Sequence, residues 1–128
     1  MLMTVHSTRT LAEIEQALHE SAARHKFGIL ATHDLRETMK KKGVEFASDV
    51  RIYEVCNPVQ AKKVLEASGA VSTALPCRIS VYQDPKGGYT LATLKPTQLM
   101  QMFGSAELAP VAEEVEQVLS AMLTEAAG

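Results

Sequence analysis

The chain has 128 residues, 46% of them hydrophobic and 22% charged, with a net charge of −2 and no tryptophan. That length suits one domain, and area scaling buries about two-thirds of the surface on folding, enough for a core without disulfides or a structural metal. The charge balance supplies no basic field for nucleic acid, the 5% aromatic content offers no stacking platform, and no apolar run approaches the ~20 residues of a membrane span.

The first residues, Met1 to His6, lack the basic and long apolar regions of a signal peptide. The expectation is therefore a cytoplasmic protein whose two cysteines, Cys56 and Cys77, are reduced thiols. Residues 4–8 read as an opening strand. Thr10 followed by Glu13 has capping-box spacing, and Leu11, Ile14, Leu18, Ala22 and His25 then recur at helical intervals. Residues 26–32 read as a strand, with Phe27, Ile29 and Ala31 alternating. Asp34 and Glu37 start a short helix that ends in Lys40, Lys41, Lys42 and Gly43, an order suited to the helix dipole and a left-handed cap. With only Leu35 and Met39 apolar, this helix is expected on the surface.

Residues 49–56 read as a strand carrying Val50, Ile52, Glu54 and Cys56 on one face and Arg51, Tyr53 and Val55 on the other. Asn57-Pro58 ends it and opens a helix, Asn as N-cap and Pro at the first helical position. Ala61, Val64, Leu65 and Ser68 mark one face of that helix, and Gly69 is expected to close it. Cys77, Ile79 and Val81 alternate with Arg78, Ser80 and Tyr82 in the strand over 75–83. The turn Asp84-Pro85-Lys86-Gly87-Gly88 and a return strand over 89–94 complete a hairpin. Pro96 opens a short helical piece to about Phe103. A final helix from about Ala106 carries the stripe Leu108, Val111, Val115, Val118, Leu119 and Met122, and Pro110 must fall in its first turn. Residues 124–128 read as a frayed tail.

This order predicts an α+β two-layer sandwich, with a mixed, mainly antiparallel sheet and helices on one face. The other face is left for solvent, a ligand groove or a partner subunit. Three stretches then carry a resemblance: His33-Asp34-Leu35 through Lys42-Gly43, Glu54-Val55-Cys56-Asn57-Pro58 with Ala61 behind it, and Leu75-Pro76-Cys77-Arg78-Ile79-Ser80-Val81-Tyr82. Together they resemble the domain of unknown function 302 family of bacterial and archaeal proteins. The resemblance covers about residues 5–103 of a single 1–128 domain, with the helix over about 106–124 as an addition. It implies a strand–helix–four-strand–helix fold, usually dimeric, and no settled activity.

The candidate site gathers Glu54, Cys56, Asn57, Cys77 and Arg78. Each cysteine falls at the end of a predicted strand, so pairing of those strands would bring the thiols to one edge of the sheet. A helix start beside Cys56 and Arg78 beside Cys77 would each favour a thiolate, and hence a reactive thiol, a redox pair or a soft-metal site. The plainer reading packs both cysteines as small hydrophobes. Glu54 is either a buried acid or base, or a solvated or salt-bridged strand residue. His33-Asp34 is read as a loop residue before a helix cap, with a base and its orienter as the sharper alternative.

His6, His19 and His25 show no metal-site spacing, and neither cysteine has a C-x-x-C or a close His, so no metal site is expected. Leu99, Met100, Met102 and Phe103 form an apolar cluster suited to core packing, a ligand lining or a dimer surface. No phosphate-loop, dinucleotide or nucleophile-elbow motif occurs. The resulting expectation is a small soluble homodimeric module that binds a small ligand or acts through its thiols, with no nucleic-acid or membrane partner and no cofactor specified. A cysteine-dependent redox or transfer enzyme and an interaction domain with inert cysteines are the alternatives.

Overall fold

Alternating apolar residues build the centre of one sheet. The computed structural model describes residues 1–128 and contains five strands: β1 (Leu2–Ser7), β2 (Gly28–Asp34), β3 (Val50–Cys56), β4 (Cys77–Gln83) and β5 (Tyr89–Leu94). Their order is β1-β5-β4-β3-β2, and all four pairings are antiparallel. The helices are α1 (Leu11–Arg24), α2 (Leu35–Lys41), α3 (Pro58–Ala67), α4 (Pro96–Gln101) and α5 (Leu108–Ala127). This is the expected α+β architecture, with the sheet wholly antiparallel rather than mixed.

The period-2 pleat sorts the strands into two faces. Tyr53, Val55, Ile79, Val81 and Leu91 form one face, buried against Ile14, Leu18 and Ala22 of α1 and Val115, Leu119, Met122 and Leu123 of α5. The opposite face has no helix of this core against it. One row across it runs Thr4–Ala92–Ser80–Ile52–His33, each residue paired with the next. Beyond the sheet, α3, α4 and a 3-10 turn over Gly69–Ala74 enclose a second cluster of Val64, Val71 and Met100 with Leu108 and Ala112 of α5. Helix α5 thus joins both clusters.

Local signals act as expected at several ends. Thr10 and Glu13 form the reciprocal capping box of α1, and the Asp34 side chain accepts from the Glu37 N–H to cap α2, which has no buried residue. Gly88 closes the β4–β5 turn at φ +74°, where a Cβ would collide with the Ser7 carbonyl, so this position needs glycine for both conformation and space.

Four local expectations change. Strand β1 starts at Leu2 rather than Thr4. Strand β2 runs on through His33 and Asp34, so His33 is a strand residue rather than a loop residue. A bulge between Ile29 and Ala31 leaves Leu30 62% exposed and breaks the alternation: Ile29 pairs with core-facing Val55, but Ala31 pairs with Glu54 on the open face. Gly69 does not close α3 in a left-handed cap. Extended Ser68 ends the helix, and Gly69 begins the 3-10 turn.

The fourth change is the largest. Residues 124–128 do not fray, because α5 continues to Ala127 and buries Ala126 and Ala127. The Ser7 hydroxyl donates to the Ala127 carbonyl at 2.7 Å, and Arg9 donates to the carbonyls of Glu125 and Ala126. Helix C-termini leave carbonyls without intrahelical donors, and β1 with its following turn supplies them here.

Candidate functional site

Strands β3 and β4 end and begin side by side, with Val55 opposite Cys77. The chain leaves this edge of the sheet through α3 and returns through the 3-10 turn. Between these segments and α5 the two hydrophobic clusters do not close on each other, and a cavity of about 350 Å³ remains. Phe27, Val55 and Val115 from the main core wall one side; Val64, Met100 and Ala112 from the second cluster wall the other. Cys56 and Cys77 both line it, together with Asn57, Gln60, Ala61, Leu65 and Pro76. No Asp, Glu, His, Lys or Arg is among the lining residues.

Asn57 sets the direction in which α3 leaves the strand. Its Oδ1 accepts from the N–H groups of Val59 at 3.0 Å and Gln60 at 3.2 Å, and Pro58 occupies the first turn. This is the expected cap. Asn57→Ala is expected to lower stability by about 0.5–2 kcal/mol. An unchanged denaturant midpoint would remove that role.

Both cysteines are free thiols facing one cavity. Burial pushes the Cys77 thiol up to about 11, with the neighbouring Cys56 adding to the rise, and burial also raises Cys56. The influences that favour a thiolate in the sequence do not prevail. Arg78 lies on the opposite face of the sheet from Cys77, and at Cys56 desolvation outweighs the nearby helix start.

The five candidate residues therefore divide. Cys56, Asn57 and Cys77 come together at the cavity. Glu54 and Arg78, paired across β3 and β4, lie on the open face. There Glu54 Oε1 sits 3.0 Å from His33 Nε2 and 3.9 Å from Arg78 Nε. Tyr53 and Val55 take the core positions, so Glu54 is the salt-bridged strand residue rather than a buried acid. The pleat separates Arg78 from Cys77, one residue apart on β4; Cys56 has the parity of Glu54 and reaches the cavity as the last residue of β3, where the chain turns into α3.

In the cluster Leu99-Met100-Met102-Phe103, Met100 is buried and lines the cavity, Leu99 and Phe103 pack behind it, and Met102 is exposed. Gln60 escaped the sequence reading. Its only signal was a polar residue on the face of α3 that also carries Val64. At the far end of the sheet Glu15 accepts from the Tyr53 hydroxyl and from Arg51, each at 3.1 Å, locking α1 onto β3. Burial, reinforced by Glu15, pushes the Tyr53 hydroxyl up to about 12, which suits a structural hydrogen-bond donor. Nowhere do three His, Cys, Asp or Glu side chains converge as metal ligands, and no helix is long and apolar enough to cross a membrane.

The arrangement can be set against known proteins. The family model described as "Domain of unknown function DUF302" matches residues 3–126. The chain belongs to the DUF302 family. The matched span takes in α5, the helix that the motif resemblance leaves out. The chain is similar to the uncharacterized conserved DUF302 protein of Bacillus stearothermophilus, known from a crystal structure. Identity is 33% and the TM-score 0.91, with 98% of this chain and 97% of that chain covered. No curated protein matches. The cavity walls fall within the matched span, from Phe27 to Val115, so the DUF302 fold itself supplies every segment that encloses them.

Proposed function

We propose that this DUF302 protein is a binding module for a small apolar molecule, held in the cavity between its two hydrophobic clusters. The observation that carries the reading is the cavity itself. Its volume of about 350 Å³ lies within the range of small-molecule pockets, about 300–1,000 Å³. Its walls are mainly apolar and come from segments spread across the fold, so the space is built by tertiary packing. Cys56, Asn57 and Cys77 are the site residues of this proposal. With no base in the lining and both thiols raised by burial, the geometry supports binding over cysteine-dependent transfer or redox catalysis. A reducing, cytoplasmic setting belongs to the same reading.

Thermal unfolding in the presence of 1-octanol or indole tests it. A ligand at one hundred times its dissociation constant adds about 2.7 kcal/mol, and the rise in Tm is expected to vanish in Ala61→Phe, where the new ring fills the cavity. No rise with either probe would overturn the reading.

We also propose that two copies pair through the open sheet face. The chain exposes 7410 Å², against about 6,700 Å² expected for a compact monomer of this mass. Leu2 and Leu94, paired across β1 and β5, stand 58% and 46% exposed on that face, where Val50 and Ile52 of β3 also lie. Light scattering at tens of micromolar protein is expected to give a dimer mass, and Leu94→Glu a monomer. A monomer mass for the unaltered chain would reject the pairing.

A further inference from the structure

We propose that Cys56 and Cys77 together bind one monovalent soft metal ion, Cu(I), as a two-thiolate site at the sheet end of the cavity. The proposal goes beyond the apolar-ligand reading and does not depend on it.

The register brings the two thiols to one place. Val55 pairs with Cys77 across β3 and β4, so Cys56, the next residue, stands diagonally beside Cys77. With strands about 4.8 Å apart and a rise of about 3.4 Å per residue, their Cα atoms lie about 6 Å from each other. Cys77 lines the cavity as the first residue of β4, and Cys56 reaches it where β3 turns into α3. Both thiols are free. Metal–sulfur bonds of about 2.3 Å, the zinc–thiolate value, let one ion join sulfurs about 4–5 Å apart. That is a looser demand than the ~2 Å bond of a disulfide, and neighbouring positions of this kind meet it.

The lining selects the ion. Hard cations take oxygen ligands, and structural zinc takes four ligands. The cavity offers no Asp, Glu or His. It offers two thiols, with the Met100 thioether as the one other sulfur in its walls. Thiolate and thioether sulfur favour Cu(I), a d10 ion that two thiolates satisfy in a line. The lack of C-x-x-C or nearby His spacing argues against zinc and leaves a two-thiolate site untouched. Each thiol releases its proton to solvent on binding, so the complex carries one negative charge. No carboxylate faces that charge in the cavity, and Cys56 lies just before the N-terminus of the ten-residue α3, the positive end of the helix. The apolar walls restrict the access of water and oxidants to the ion.

Anaerobic titration of the reduced protein with Cu(I), in competition with the chromophoric chelator bicinchoninate, tests the site. One ion per chain is expected, with a thiolate-to-metal charge-transfer band in the ultraviolet. A rise in Tm is also expected, because the ion binds the folded chain. Cys56→Ser and Cys77→Ser should each lose the band and the uptake while the denaturant midpoint stays native-like. Where a serine variant does not fold, iodoacetamide labelling of the unaltered protein reads the same ligands, and bound Cu(I) should protect both thiols. No uptake from the chelator, one ion per two chains, a fall in Tm, uptake that survives in either single variant, or a thiol left unprotected overturns the proposal. The rise in Tm with 1-octanol is a separate readout, so failure of Cu(I) with that rise intact removes the metal site alone.

Discussion

Removing residues 124–128 is expected to destabilise the protein by about 3 kcal/mol or more, summing the burial of two alanines with the loss of tertiary hydrogen bonds at a helix end. Five alanine- and glycine-rich residues at a terminus would ordinarily be dispensable. Here Ala126 and Ala127 are buried against the sheet and α1, and Ser7 and Arg9 donate to carbonyls of this last turn. Glu125 adds an ionic part. Its carboxylate accepts from Arg24 and Ser21, each at 2.7 Å, and lies 3.0 Å from His25. Those contacts, with Arg24 the strongest and Ser21 and His25 following, lower its pKa from 4.5 to about 2.

A carboxyl that titrates lower in the folded state than in the unfolded one binds fewer protons when folded. Its contribution is complete above about pH 4.5 and is lost as the pH falls toward 2. Denaturant titrations of the unaltered chain and Glu125→Gln should therefore differ near neutrality and converge in acid. A truncated chain with an unchanged midpoint would return the segment to the status of a tail.

Alkylation of native Cys77 at pH 7 is expected to run about a hundredfold more slowly than in the unfolded chain. Burial holds its thiol near 11 instead of the ordinary 9.0, and each pKa unit removes about a factor of ten in thiolate, the reactive form. Cys56 is also raised by burial but is less enclosed. It should react faster than Cys77 and slower than an unfolded thiol. Iodoacetamide labelling of the single variants Cys56→Ser and Cys77→Ser, read by mass across pH 6–9, measures both rates. Rapid labelling of both at pH 6 would reject a packed, protonated pair and revive a nucleophilic role. Protection of Cys56 by 1-octanol would tie the thiol to the occupied cavity.

The elements that were legible in the sequence are those whose physics is local. The capping box at Thr10 and Glu13, the Asn57-Pro58 helix start, the Asp84–Gly88 turn and the alternation through Cys77, Ile79 and Val81 each act within a few residues. Their side chains satisfy or shape nearby backbone whatever the rest of the chain does. The α+β class follows from their order, and the motif pairs at Cys56-Asn57-Pro58 and Leu75-Pro76-Cys77-Arg78 pointed to the family that the chain belongs to.

What only the tertiary structure decided was which of these pieces meet. Glu54 and Arg78 lie close to the two cysteines in sequence, yet both stand on the open face of the sheet: pleating turns Arg78 away from Cys77, and Cys56, in step with Glu54, reaches the cavity at the end of β3. Gln60 and Glu114 lie far apart in the chain, yet a 2.7 Å hydrogen bond joins them because α3 packs on α5. The last turn of α5 offered only small residues and one acid, and its order comes from Ser7, Arg9, Ser21, Arg24 and His25, all more than ninety residues earlier. Periodicity and capping chemistry determine where elements begin and which stripe they bury. The cavity and the C-terminal clamp depend on the volume left, and the partners found, when stripes from distant segments pack together.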